Sequence, residues 1–180
     1  MTGLAVVLLV LSASSAQKKQ QCGLASAPHF SDFSASSKLR GKPAHPVLRT
    51  AIEHEYRTTI RSAARSGPNF DGHYAVALYG CGSGCHGFFV IDLQSGAIFD
   101  PPFKSVNFHY PRRNAFVDSD PDWWCFPRVI EFRRDSALLI VEGCLDDHQC
   151  GRTFYSMGRT GLRQVRHYPD LLPDGKVAPF

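Results

Sequence analysis

Six cysteines constrain the fold of this 180-residue chain more than any other feature. An even number of cysteines in a short exported chain is typical of a disulfide framework. Two pairs are close enough in sequence to close short loops between strands, namely Cys81 with Cys85 and Cys144 with Cys150. Cys22 and Cys125 remain, and pairing them would tie the N-terminal segment to the body. Cysteine spacing alone leaves that third pairing open.

Zinc bound by four thiolates is the alternative reading of these cysteines. The C-x3-C and C-x5-C spacings differ from the C-x2-C of common zinc knuckles, and an oxidising compartment disfavours free thiolates. Calcium is excluded for the alternating Asp118, Asp120 and Asp122, because Trp123 and Val129 stand where a calcium loop needs Gly and Glu. We therefore expect disulfides, with no metal and no other cofactor.

The N-terminus reads as a signal peptide over residues 1–16. Residues 4–11 form an apolar run too short to span a bilayer, and Ser14 and Ala16 stand at the small-residue positions of a cleavage site. A buried N-terminal strand or helix is the alternative. No other stretch approaches the length of a transmembrane helix, so we expect a secreted or periplasmic protein with no transmembrane span.

The positive charge is concentrated before residue 46. The net charge is +4 for the whole chain, and residues 17–45 already hold five basic side chains against Asp32. This segment is rich in Ser, Ala, Lys and Gln and predicts a flexible basic arm. Residues 46–180 are neutral overall and predict one α+β domain. A neutral body without a recognised module argues against nucleic-acid binding.

The hydrophobic period changes from helix to strands after Pro68. Leu48, Ile52, Tyr56 and Ile60 recur every fourth residue, which predicts one helix over 46–66 ended by Gly67. Seven strand-like runs follow, at 73–80, 87–93, 97–100, 129–133, 137–142, 153–157 and 162–167. We predict an α+β fold in which this N-terminal helix packs on a disulfide-braced antiparallel β-meander of about seven strands.

One internal similarity relates residues 75–99 to residues 137–164. In each, an apolar strand ends in Gly-Cys, and a short polar loop closed by a second cysteine leads to two further strands. Gly96 and Gly161 occupy equivalent turn positions when the two stretches are aligned without a gap. The pattern suggests a repeated unit, although β-meanders in general share glycine turns.

A family resemblance rests on two stretches. Residues 68–74 read PNFDGHY, and a strand later comes the run GCGSGC at 80–85. Gly143-Cys144, Cys150-Gly151 and Phe154-Tyr155 follow near the C-terminus. Together these resemble a PNFxGHY…GCGxxC pattern of uncharacterised exported bacterial proteins. The resemblance implies an exported fold, and it implies no activity and no catalytic residue.

The PNFDGHY run carries the densest polar chemistry. Asp71 could orient His73 as a general base, which is the arrangement of a small envelope hydrolase. A nucleophile is lacking, because Cys81 and Cys85 are expected to be disulfide-bonded and Ser83 is not in a nucleophile elbow. The alternative is a structural corner in which Asn69 and Asp71 cap a turn, and His73 and Tyr74 bond to backbone.

The stretch 101–128 is the predicted binding surface. Long loops without secondary structure are commonly functional, and this one is rich in the aromatic and Arg side chains of binding hot spots. The candidate binding residues, which include one from the Cys81–Cys85 corner, are His86, His109, Tyr110, Arg112, Arg113, Trp123 and Trp124. The same aromatics could instead cover the sheet.

These features favour an exported, non-enzymatic module that binds a protein or glycan of the cell envelope. The alternative is the small hydrolase with its His/Asp pair. The sequence leaves the ligand and the oligomeric state open.

Overall fold

Eight antiparallel strands make up most of the regular structure in the computed structural model, which describes residues 27–107 and 130–169. The strands are β1 Tyr74–Gly82, β2 Cys85–Asp92, β3 Ile98–Phe99, β4 Val106–Asn107, β5 Ile130–Phe132, β6 Leu138–Leu145, β7 Gln149–Gly158 and β8 Gly161–Pro169. The antiparallel, disulfide-braced character expected from the sequence is confirmed. The predicted signal peptide lies outside the described residues.

The strand order is β1-β2-β4-β6-β7-β8, with β3 added to β2 and β5 added to β6. The strand that the sequence did not predict is β4, whose two residues are too few to carry an alternating pattern. It lies between β2 and β6, where Asn107 pairs with Cys85 on one side and with Cys144 on the other. The sheet is therefore two hairpin-based halves joined through β4 and not a simple meander.

Each half of the sheet is apolar on both faces. Successive side chains of a strand point to opposite faces. One face contributes Phe88, Val90, Leu139 and Val141, among others, to a shared central core. The opposite face is covered separately in each half, by a helix over β1 and β2 and by residues 27–33 over β6 and β7.

The sheet curls, so that the start of β1 meets the turn between β5 and β6. The backbone N–H of Gly72 donates to the carbonyl of Arg134 at 2.7 Å, and that of Asp71 donates to the carbonyl of Ser136 at 3.2 Å. Phe103 fills the interior, with its ring centroid 5.8 Å from those of both Phe88 and Tyr155. The two halves thus enclose one core.

The helix predicted over 46–66 is wrong in its start and in its continuity. The structure has α1 Ala51–Glu55 and α2 Arg57–Ser66, separated at Tyr56. Thr50 and Glu53 form a reciprocal capping box that fixes the start of α1. Val47, in the predicted first turn, lies beside the β2–β3 turn instead, where its N–H donates to the carbonyl of Gly96. The predicted end at Gly67 is correct.

Contact between α2 and the sheet is made by its apolar stripe. Ile60 and Ala64 are buried against Ala75, Ala77 and Phe89 of the first hairpin. The small alanines of β1 let the helix approach the sheet closely. None of the helices among the described residues is long and apolar enough to cross a membrane.

Residues 27–45, predicted as part of a flexible arm, lie along the sheet. Phe30 and Phe33 pack on Leu138, Ile140 and Phe154. Backbone hydrogen bonds continue this contact, from the Ala137 N–H to Phe33 at 2.8 Å, from Leu39 to Gly72 at 3.2 Å and from Ala44 to Leu93 at 2.8 Å. Composition did not reveal this, because the segment is held largely through its backbone.

Two disulfides brace the two hairpins. Cys81–Cys85 joins the end of β1 to the start of β2, and Cys144–Cys150 joins the paired ends of β6 and β7. Both predicted short-range pairings are confirmed. Each Gly-Cys unit is therefore one hairpin of one half-sheet, and β4 lies between them. Cys22 and Cys125 lie outside the described residues.

Candidate functional site

The PNFDGHY run forms the junction between the N-terminal segment and both halves of the sheet. The Asn69 side chain imitates a neighbouring strand, since its Oδ1 accepts from the Val76 N–H at 2.7 Å and its Nδ2 donates to the Val76 carbonyl at 3.2 Å. Phe70 and Tyr74 form a backbone bridge that closes the turn. Asn69 thus satisfies part of the outer edge of β1.

Asp71 is a buried carboxylate inside this junction. Its side chain is 2% exposed, its φ is 39°, and Oδ1 accepts from the Ser36 N–H at 2.5 Å. Burial raises the pKa of Asp71, while the hydrogen bond from Ser36 and the nearby His73 oppose that rise. The carboxylate therefore holds the N-terminal segment in place.

Gly72 is the point of closest backbone approach. Its φ of 73° lies in the left-handed region, and a Cβ there would overlap the carbonyl group of Ser37. The N-terminal segment thus crosses directly over this glycine. Any side chain at position 72 would push the two backbones apart.

His73 lies between the N-terminal segment and the end of β2. It is 7% exposed, with Nδ1 at 3.1 Å from both the hydroxyl and the carbonyl oxygen of Ser37, and Nε2 at 3.8 Å from Oδ1 of Asp92. Asp92 also accepts from the Gln94 N–H at 2.8 Å and from the Ser95 hydroxyl at 2.6 Å. The predicted pairing of His73 with Asp71 is replaced by contacts with Ser37 and Asp92.

Ser37 and Asp92 thus lie on opposite sides of the His73 imidazole, one near each ring nitrogen. In a catalytic triad the serine hydroxyl donates to an unprotonated ring nitrogen. Here the Ser37 carbonyl, which can only accept, lies equally close to that nitrogen and favours an N–H on it. His73 is also buried, so the geometry suits a structural contact better than proton abstraction from Ser37.

Tyr74 completes the polar cluster. Its ring lies 4.0 Å from that of His73 between centroids. Burial, together with the charges of Asp92 and Asp71, raises the pKa of Tyr74 to about 12. The phenol therefore stays neutral at physiological pH and offers no base. Asp71, His73 and Tyr74 thus all contact other groups of the protein.

Of the seven predicted binding residues, only His86 lies among the described ones. His109, Tyr110, Arg112, Arg113, Trp123 and Trp124 fall in 108–129, and their role stays a prediction. His86 is exposed on β2, in one cross-strand row with Val106, Leu145 and Gln149. Paired residues of antiparallel strands point to the same face, so His86 faces the side of the sheet that bears Leu145 and Gln149.

A groove of about 300 Å³ lies on this face, at the β6–β7 turn. Its apolar wall is formed by Pro102, Phe103, Leu145 and Leu162. Its polar groups are Asp146, His148, Gln149, Tyr155 and Gln164. The volume is at the lower end of the range for small-molecule sites, and the lining is more polar than is usual for them.

The turn that borders the groove is held in an uncommon backbone conformation. Asp146 and Asp147 have φ values of 50° and 61°, which non-glycine residues seldom adopt. Oδ1 of Asp146 accepts from the N–H groups of Lys104 at 2.8 Å and Ser105 at 3.0 Å, and Oδ1 of Asp147 accepts from the Asn107 amide at 2.5 Å. The disulfide Cys144–Cys150 closes the base of the turn. Residues 104–107 thus fix the turn before any ligand arrives.

Tyr155 is the most informative group of the groove. Its side chain is 2% exposed, and burial, with a further contribution from Asp146, raises its pKa. Its hydroxyl bonds to no residue within 27–107 and 130–169, and it is not one of the fully buried unpaired atoms of those ranges, so it reaches the groove that Tyr155 lines. The groove is therefore lined by the accessible hydroxyl of an otherwise buried side chain.

Sequence reasoning missed this groove. Its residues come from the loop before β4, from β6, from the β6–β7 turn, from β7 and from β8, which only the curled sheet brings together. The available signals were Asp146-Asp147 between two cysteines and Phe154-Tyr155 in the family-like pattern. Phe103 was included in the predicted binding stretch and does line the groove.

Within residues 27–107 and 130–169, no three His, Cys, Asp or Glu side chains are grouped to hold a metal ion. Comparison with known proteins gives no matching family model, no matching curated protein and no matching solved structure.

Proposed function

We propose that the protein is an exported, disulfide-braced module that binds a protein or glycan of the cell envelope and holds it at the groove beside the β6–β7 turn. The observation that carries this proposal is the Tyr155 hydroxyl, which borders the groove without a partner among the described residues. This hydroxyl is accessible from the groove, so a ligand held there can donate a hydrogen bond to it or accept one from it. A turn fixed in advance also lowers the entropy cost of binding.

Export is supported by the two disulfides, which persist in oxidising compartments. A binding role is supported by the contrast between the two polar regions of the molecule. The PNFDGHY side chains already bond to the protein itself, whereas the groove offers polar groups toward solvent.

A pull-down from envelope extract tests the proposal. The immobilised mature chain is compared with Tyr155→Phe, which removes only the hydroxyl, and with Tyr79→Phe as the matched control. Tyr79 is partly buried on the opposite, helix-covered face. We expect the same components to be recovered by the parent and by Tyr79→Phe, and to be depleted about threefold or more by Tyr155→Phe. Equal recovery by all three would refute the groove as the binding site.

A small hydrolase is the second candidate, favoured by the 3.1 Å separation between the Ser37 hydroxyl and Nδ1 of His73. Asp92 would take the orienting role that the sequence assigned to Asp71. Hydrolysis of a chromogenic ester by the purified chain, abolished in Ser37→Ala, would establish it. Activity that is absent, or equal in the two proteins, would eliminate it.

A further inference from the structure

The hydrogen-bonding groups of the groove require a ligand that both donates and accepts. The Gln149 and Gln164 side chains each offer a carbonyl oxygen and an amide NH₂, and the Tyr155 hydroxyl can act in either direction. An ammonium group donates only, so it would leave the amide NH₂ groups unmatched. A carboxylate or phosphate accepts only, and it would face Asp146.

Asp146 adds a directed acceptor. Its Oδ1 is occupied by two backbone N–H groups, whereas Oδ2 makes no hydrogen bond to any residue of the described ranges. The left-handed backbone of the turn and the hydrogen bonds to 104–105 fix the direction of this carboxylate. A hydroxyl is the neutral group that can donate to Asp146 Oδ2 and still accept from a neighbouring amide.

Apolar side chains also line the groove. Phe103, at 7% exposure, and Leu162 present carbon surface to the groove. A ligand that carries both C–H surface and hydroxyls therefore matches the composition of the lining. A sugar ring has both, and its size agrees with a groove of about 300 Å³.

We infer that the groove takes one neutral sugar ring, with hydroxyls bonded to Asp146 and Tyr155 and the amides of Gln149 and Gln164 completing the contacts. This inference rests on the proposed function and narrows its ligand from protein or glycan to glycan.

Calorimetric titration of the full mature chain tests this inference. The probes are glucose, galactose, mannose and N-acetylglucosamine as neutral sugars, glucuronate as an anion and ethanolamine as a cation. We expect at least one neutral sugar to bind more tightly than both charged probes. Tyr155→Phe and Gln164→Ala should each weaken it about three- to tenfold, and Tyr79→Phe should leave it unchanged.

The outcomes separate this inference from the proposed function. If no neutral sugar binds, or if the two groove variants bind as well as the parent, the sugar assignment is wrong. Should Tyr155→Phe still deplete envelope components in the pull-down, binding at the groove stands and its ligand is not a sugar. Because Gln164 is exposed, its variant keeps the test valid even if Tyr155→Phe perturbs folding.

Discussion

The Asp71 carboxyl group lowers the stability of the folded protein when it is charged, because it is buried in the junction. Its folded-state pKa is raised by burial above the ordinary value of 3.8. Between that value and the raised one, the folded protein binds more protons than the unfolded chain. The contribution of Asp71 to the free energy of unfolding therefore falls as pH rises through this window. Above the raised pKa this contribution no longer changes.

Asp71→Asn removes this pH dependence, because the amide oxygen can still accept from Ser36 but carries no charge. We expect the variant to gain stability relative to the parent as pH rises through the window. Urea unfolding of both proteins from about pH 3 to pH 7 measures the difference. Parallel pH profiles would mean that the Asp71 carboxylate is not destabilised by its surroundings.

Gly72 and Gly67 give a matched pair for the close backbone approach. Both have left-handed φ values, 73° and 84°, but only Gly72 has the Ser37 carbonyl in the path of a Cβ. Alanine at 67 should cost about 1–3 kcal/mol from conformation alone, because its φ of 84° and ψ of −175° lie in a region that almost only glycine adopts. Alanine at 72 should cost at least about 2 kcal/mol more, because overlap with backbone forces the N-terminal segment off the junction. Equal losses in urea unfolding would contradict the close approach.

Residue-level expectations were most successful where the chemistry is local. The alternative in which Asn69 and Asp71 act as turn-capping groups agrees with their observed backbone contacts. The partners of His73 could not be predicted, because Ser37 and Asp92 are distant in sequence. The position of the Tyr155 hydroxyl at the groove could not be predicted for the same reason, because residues distant in sequence form the groove.

At the scale of elements, each of the two disulfides closes the turn of one hairpin. Cys81–Cys85 closes the exposed β1–β2 turn, whereas Cys144–Cys150 closes the turn that carries Asp146. Each closes a short loop, for which the chain-entropy model gives about 2 kcal/mol.

Removing each disulfide by paired alanine substitution should separate stability from binding. We expect both double variants to lose about 2 kcal/mol in urea unfolding. Only Cys144→Ala with Cys150→Ala should also weaken binding at the groove, measured in the same pull-down. Equal binding by the two double variants would indicate that the disulfide does not fix the groove.

Element prediction failed where hydrogen bonds override local pattern. The apolar stripe begins before Thr50, yet residues 44 and 47 bond to the β2–β3 turn, and the helix starts only after its N-cap, Thr50. Likewise β4 is two residues long and is a strand only because β2 and β6 flank it. The cysteine pairs were predictable because short loops restrict their partners.

At the scale of the molecule, the N-terminal segment is a structural component of the sheet. Leu39 and Ala44 donate backbone hydrogen bonds to Gly72 and Leu93. We therefore expect their amides to exchange with solvent far more slowly than those of the exposed Lys42 and Arg40, which neighbour them. Hydrogen exchange followed by NMR measures this. Uniformly fast exchange over residues 35–45 would instead support the flexible arm that the composition predicts.

The curl of the sheet was beyond sequence reasoning, because no local pattern encodes the meeting of β1 with the β5–β6 turn. That curl divides the polar groups into a buried junction around His73 and an open groove around Tyr155. The assignment of function depends on this division more than on any single motif.

An NMR titration of the labelled mature chain with the ligand recovered in the pull-down tests the division most directly. We expect chemical-shift changes centred on Asp146, Gln149, Tyr155 and Gln164. The chemical shifts of the amides of Asp71, His73 and Asp92 should stay unchanged. Changes centred on Ser37, His73 and Asp92 would contradict it and place the site at the junction.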